Sequence, residues 1–123
     1  MSHFQQLDGD APILQKTTEL YKEFYGYLKL FPKKDQYLLG KRCEDALLEF
    51  LEYVLIAASQ PKERKLRVLE AANGKFDVLK VLFRVAREFK MLDNKKYLSL
   101  ETRSQEIGKM LGGWIRSLAT KTP

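Results

Sequence analysis

The chain is poor in the residues that catalysis and metal binding draw on. It has one histidine and one cysteine in 123 residues. Cys43 falls on an apolar stripe, where a cysteine reads as a small buried residue, and His3 stands in the N-terminal leader, away from it. A lone cysteine excludes an internal disulfide and any cysteine-rich metal site, and a reducing cytoplasm is its simplest setting. No Glu-x-x-His pair is present to build a di-iron bundle. Gly112-Gly113 lies inside a helical pattern with no preceding strand, so it is not a phosphate loop or dinucleotide fingerprint. These absences predict a protein that is not an enzyme and holds no metal and no cofactor. Long apolar runs are missing too. None approaches the ~20 residues that span a bilayer, and residues 1–10 carry no secretory signal, so no membrane partner is expected. There is no sustained two-residue alternation of the kind strands show. Only four prolines occur, which suits an all-helical chain.

What is present is charge and helical periodicity. Lysine and arginine number 22 against 16 acids, a formal net charge of +6. Such an excess favours polyanions or anionic surfaces as partners. The length fits one domain. Apolar residues recur at spacings of three and four in four segments, predicting helices over about 12–31, 35–58, 61–90 and 94–118. Residues 1–11 read as a flexible leader and 12–120 as the bundle. Phe31-Pro32 stops the first helix, because the residue before proline avoids helical geometry, and Asp93 fits an N-cap for the fourth. Joints this short force antiparallel neighbours. The expected fold is an all-α, up-down-up-down antiparallel four-helix bundle.

The second and third helices each carry more apolar residues than one core stripe needs. Leu48, Leu51, Leu55 and Ala58 flank one core stripe; Val78, Leu82, Val85 and Phe89 flank the other. A broad buried face explains this, and so does a subunit interface. An acidic line (Asp45, Glu49, Glu52) and a basic line (Lys80, Arg84, Arg87) lie at the edges of these stripes and could set register within or between subunits. The up-down layout brings the first and third joints to one end, gathering Lys29, Lys33, Lys34, Lys41, Arg42, Arg87, Lys90, Lys95 and Lys96. That end would bind phosphates by charge; Tyr37 and Tyr97 could stack on bases there or serve as core aromatics.

The closing segment Glu106-Ile107-Gly108-Lys109-Met110-Leu111-Gly112-Gly113-Trp114 puts three glycines in a helix, each costing about 1 kcal/mol relative to alanine. The expected gain is close approach of a neighbouring helix at Gly108 and Gly112, with Trp114 in the core beside them.

That segment, preceded in order by Phe31-Pro32-Lys33, Tyr37-Leu38-Leu39-Gly40-Lys41-Arg42 and Leu82-Phe83-Arg84-Val85-Ala86-Arg87, resembles the accessory variability determinant (Avd) family of diversity-generating retroelements. The wider group includes four-helix-bundle proteins encoded in ribosomal RNA intervening sequences. The resemblance covers about residues 17–118. It implies a positively charged homopentameric barrel, cytoplasmic and non-catalytic, that binds the retroelement reverse transcriptase and nucleic acid (RNA first, DNA second) and supports mutagenic cDNA synthesis. By position it assigns Lys33, Arg84, Arg87 and Lys109 to polyanion or polymerase contact. Lys34, Lys41, Arg42 and Lys80 join them as candidates. Gly108, Gly112 and Trp114 are assigned to packing. The family often has arginine where Gln36 stands, and a small capping residue where Lys34 stands. The alternative is a protein of the intervening-sequence group with an RNA-binding or structural role.

Overall fold

A computed structural model describes residues 11–119; the expected leader, His3 included, lies outside them except for Ala11. Among the described residues four long helices form and no strand does: α1 (Ala11–Leu28), α2 (Lys41–Ser59), α3 (Lys62–Glu88) and α4 (Asn94–Ala119). They pack α1 on α2, α2 on α3, α3 on α4 and α4 back on α1, closing an antiparallel bundle. At 1.5 Å per residue, α3 is about 40 Å long.

The core follows the spacing of the apolar residues. Leu69, Ala72, Phe76, Leu79, Phe83 and Ala86 of α3 are buried, and so are Tyr97, Leu100, Ser104, Ile107 and Leu111 of α4. From α1 come Ile13, Leu20 and Phe24; from α2, Cys43, Ala46, Leu47, Phe50, Val54 and Ala57. Phe24 meets Phe83 at 5.3 Å between ring centroids, and Phe50 meets Phe76 at 4.5 Å. The buried Thr17 and Ser104 hydroxyls are satisfied locally: Thr17 donates to the Ile13 carbonyl at 2.7 Å and Ser104 to that of Leu100 at 2.8 Å. Burial alone pushes the Cys43 thiol up to about 12, so it stays protonated and inert.

Charged residues clasp the seams. The Arg103 guanidinium reaches both Glu19 and Glu23, and Lys16 reaches Glu106, tying α4 to α1. The Tyr21 hydroxyl donates to Glu44 at 2.8 Å between α1 and α2. Lys75 bridges to Glu49 at 3.3 Å between α3 and α2.

The chain departs from the expected boundaries mainly at the first joint. α1 ends at Leu28 rather than Phe31, because tight turns close there: Leu30 N–H donates to the Tyr27 carbonyl and Phe31 N–H to that of Leu28. They fold Phe31 back beneath Phe24, edge to face at 6.1 Å. The second helix begins at Lys33 with one α-turn, Lys33–Asp35, and passes through a five-residue π-helical segment, Gln36–Gly40, before α2. Gly40 makes this possible. A Cβ there would collide with Leu28 Cδ1 and lie 3.1 Å from the Asp35 carbonyl oxygen.

Candidate nucleic-acid and partner interface

The first and third joints share one pole. Lys96 of α4 places its ammonium 5.9 Å from the Tyr27 ring of α1. Burial and the hydrogen bond to Glu23 push the Tyr27 phenol up, and the charge of Asp93 adds to them, so the start of α4 stands beside the end of α1.

Local hydrogen bonds close both joints. At the first, Gln36 donates its amide to the Phe31 carbonyl at 3.0 Å and to the Lys29 carbonyl at 3.4 Å. The side chain at 36 thus closes a joint. At the third, α3 ends in a Schellman motif: Met91 N–H donates to the Ala86 carbonyl and Lys90 N–H to that of Arg87. The left-handed residue of such a motif is usually glycine; here it is Lys90, at φ 63°. Asp93 then caps α4, accepting from the Lys96 N–H at 2.8 Å, and that bond, with the Lys96 ammonium, holds its carboxyl below the usual range.

Around these joints stand Lys29, Lys33, Lys34, Arg42, Lys90 and Lys95, all exposed and none in an ion pair among the described residues. Lys41 and Lys96 are engaged, with Asp45 at 3.4 Å and Asp93 at 2.9 Å. The same pole carries the four most exposed large apolar residues: Tyr37 at 69%, Phe89 at 68%, Leu30 at 66% and Leu38 at 58%. Tyr97, the other aromatic considered for stacking, is buried at 8% and belongs to the core.

The basic line of α3 runs down from this pole along the α3–α4 seam. Arg84 is exposed and in no ion pair among the described residues, whereas the guanidinium carbon of Arg87 sits over the Tyr97 ring, 4.2 Å from its centroid. The Tyr97 hydroxyl donates to Glu101 at 3.0 Å. Lys80 bridges to Asp77 at 3.3 Å and covers the Phe76 ring. Below Arg84 the seam opens into a cavity of about 170 Å³ lined by Lys80, Phe83, Tyr97, Glu101, Ser104 and Gln105.

Two arrangements that the sequence suggested do not form within the single chain. The acidic line of α2 does not meet the basic line of α3 within the chain. Glu49 takes Lys75 and Asp45 takes Lys41, because the α3 face toward α2 carries Lys75 while Lys80 and Arg87 face α4. Nor does any helix of the chain crowd the α4 glycines. A Cβ at Gly108 would meet Phe76 at 3.9 Å, ordinary contact, and one at Gly112 would meet only Arg116 of its own helix. The room at Gly112 and Gly113 admits the folded-back Arg116 guanidinium. Trp114 packs half-buried against the core edge, with Lys65 5.9 Å above its ring.

Of the candidate residues, then, Lys33, Lys34, Lys41 and Arg42 gather at the joint pole, with Arg84 and Arg87 just below. Lys80 lies eight residues before the end of α3, about 12 Å down. Lys109 is exposed and fifteen residues into α4, about 22 Å from the pole. At the opposite pole Lys65 donates to the last carbonyls of α2, Ala57 at 2.8 Å and Ala58 at 3.0 Å, and serves as their cap. Sequence reasoning placed Phe89 in the extra apolar stripe of the third helix rather than at the exposed pole, and did not single out Leu30. The available signal was position, since each lies past the last buried residue of its helix and before a turn.

No His/Cys/Asp/Glu cluster fit for a metal occurs among the described residues, and no helix there is long and apolar enough to cross a membrane. A family model described as bAvd-like matches residues 12–118. No curated protein matches the chain.

Proposed function

The chain belongs to the bAvd-like family, and on that premise we propose that it is a non-catalytic accessory protein of a diversity-generating retroelement, engaging template RNA and the reverse transcriptase through the joint pole. The observation that carries this reading is the group of six exposed cations there, Lys29, Lys33, Lys34, Arg42, Lys90 and Lys95, without carboxylate partners among the described residues. Cations matched to carboxylates hold a fold together; cations left unmatched are available to phosphates. Arg84 extends the surface down α3 and is the position offered to the polymerase. The copying chemistry stays with that polymerase, in the cytoplasm.

Assembly of identical subunits is part of the proposal. Leu48, Leu55 and Ile56 on α2, with Val78 and Val81 on α3, remain exposed in the single chain. Apolar area of this kind favours a covering partner. A homopentamer would repeat the cationic pole around one rim.

The test is co-expression with the reverse transcriptase of the same locus and capture at 0.15 M salt, where the Debye length is about 8 Å. Polymerase and RNA are expected to be retained, with polymerase capture reduced in Arg84→Glu. A monomer by light scattering that retains neither RNA nor polymerase would contradict the reading.

A further inference from the structure

Tyr37 and Phe89 are more than two thirds exposed, and each stands among exposed neighbours at a joint of the bundle. Their relative height can be read from the α2–α3 packing. Phe50 stacks on Phe76 and Glu49 bridges to Lys75, which sets the antiparallel register. Phe89 lies thirteen residues after Phe76, and Tyr37 thirteen before Phe50. The two residues therefore lie at similar heights on adjacent helices, whose axes pack about 8–10 Å apart. The π-helical segment contributes to this. It takes more residues per turn than an α-helix, so Tyr37 and Leu38 turn outward while Gly40 stays packed against Leu28 and Phe31.

Flanking the rings are Lys33, Lys34, Arg42, Lys90 and Lys95. Lysine is depleted from the buried centres of protein interfaces. Aromatic faces set among unpaired cations are instead the composition of a surface for single-stranded nucleic acid, in which bases stack on rings and cations follow the backbone. A duplex offers the same phosphates but keeps its base faces stacked away from a side chain. We infer that the joint pole selects unpaired nucleotides over duplex, with Tyr37 and Phe89 as stacking platforms. This rests on the proposed nucleic-acid role of the same pole and adds to it a substrate class and two specificity-determining residues. Leu30 and Leu38 extend the apolar floor beside the rings.

The experiment is fluorescence anisotropy of the full chain with an unstructured 20-nucleotide RNA and a blunt duplex of the same length, at 0.1 M salt. The variants are Tyr37→Ala, Phe89→Ala, Tyr37→Trp and the double variant Lys33→Ala/Lys34→Ala. Circular dichroism checks folding, which these exposed positions are expected to leave intact. Single strand should bind more tightly than duplex. Each alanine at a ring should weaken single-strand binding by roughly fivefold or more and leave duplex binding unchanged, whereas Tyr37→Trp, which keeps a ring, should bind single strand like the parent. The lysine variant should weaken both. Equal binding of strand and duplex, with ring variants like the parent and the lysine variant weaker, overturns the inference and leaves the nucleic-acid role standing. Binding of neither RNA overturns both. Binding to phosphatidylserine vesicles in place of RNA, lost on changing the rings, assigns the pole to a lipid surface and also overturns the inference.

Discussion

Along the α1–α4 seam, cations meet carboxylates: Arg103 reaches Glu19 and Glu23, and Lys16 reaches Glu106. At the joint pole, Lys33, Lys34, Arg42, Lys90 and Lys95 meet none among the described residues, and exposed Tyr37 and Phe89 stand between them. The two regions use the same residue types. What separates them is pairing: in the seam the charge is spent inside the molecule, while at the pole it faces outward. The contrast extends to the backbone. The seam is two regular helices, whereas the pole contains a π-helical segment and a left-handed lysine.

If this division is right, changes at the two regions should separate stability from binding. The largest expected effect is at the frame of the pole. Gly40→Ala forces a Cβ against Leu28 and the Asp35 carbonyl and should cost about 1–3 kcal/mol of unfolding free energy, measured by urea denaturation. The chain should then lose RNA affinity as well, because the turn that presents Tyr37 must shift. Next comes Lys33→Glu/Lys34→Glu. It should weaken RNA binding at 0.1 M salt by tenfold or more, about 1.4 kcal/mol, and flatten the salt dependence, with the melting temperature almost unchanged.

Arg103→Ala should do the reverse. It should lower stability by about 1 kcal/mol, a value kept small by the partial exposure of the pair, and leave RNA affinity as it was. The same seam should be acid-sensitive. Burial tends to raise the Glu23 carboxyl, but hydrogen bonds from Ser99, Tyr27 and Arg103 outweigh it and hold the group below its ordinary value of 4.5. A carboxyl lowered on folding stabilises the fold above its unfolded value, and that stability is lost as pH falls through the folded one. Urea midpoints should therefore drop below about pH 4.5 in the parent, and less so in Arg103→Ala.

The smallest expected effect has the opposite sign. Lys90→Gly relieves a left-handed lysine and should raise stability by up to about 1 kcal/mol, while removing one cation from the pole and lowering RNA affinity a few-fold.

Much of this fold is legible in the amino-acid order. The α3 and α4 core residues recur at three and four without interruption, so spacing alone places Leu69 through Ala86 and Tyr97 through Leu111 inward. Asp93 as a cap is legible for the same reason, since a cap is decided by residues within one turn. The gathering of lysines at one pole follows from short joints and antiparallel order. Other features depend on which flank of a helix meets which neighbour. That is why the acids of α2 take Lys75 and Lys41 and not the line from Lys80 to Arg87. The π-helical segment was hidden because it depends on how Gly40 fits against Leu28 in another helix. The α4 glycines show the converse. Three costly residues in one helix imply crowding, yet within the chain no other helix presses on Gly112 or Gly113, where only Arg116 lies close.

Hydrogen–deuterium exchange of the full chain with and without an unstructured RNA tests the account most directly. Protection confined to residues 29–42 and 88–96, the two joints of one pole, is the predicted footprint. Protection along α1 and α4 at Glu19, Glu23 and Arg103, or at the opposite joint near Lys65, with the shared pole unchanged, would contradict it.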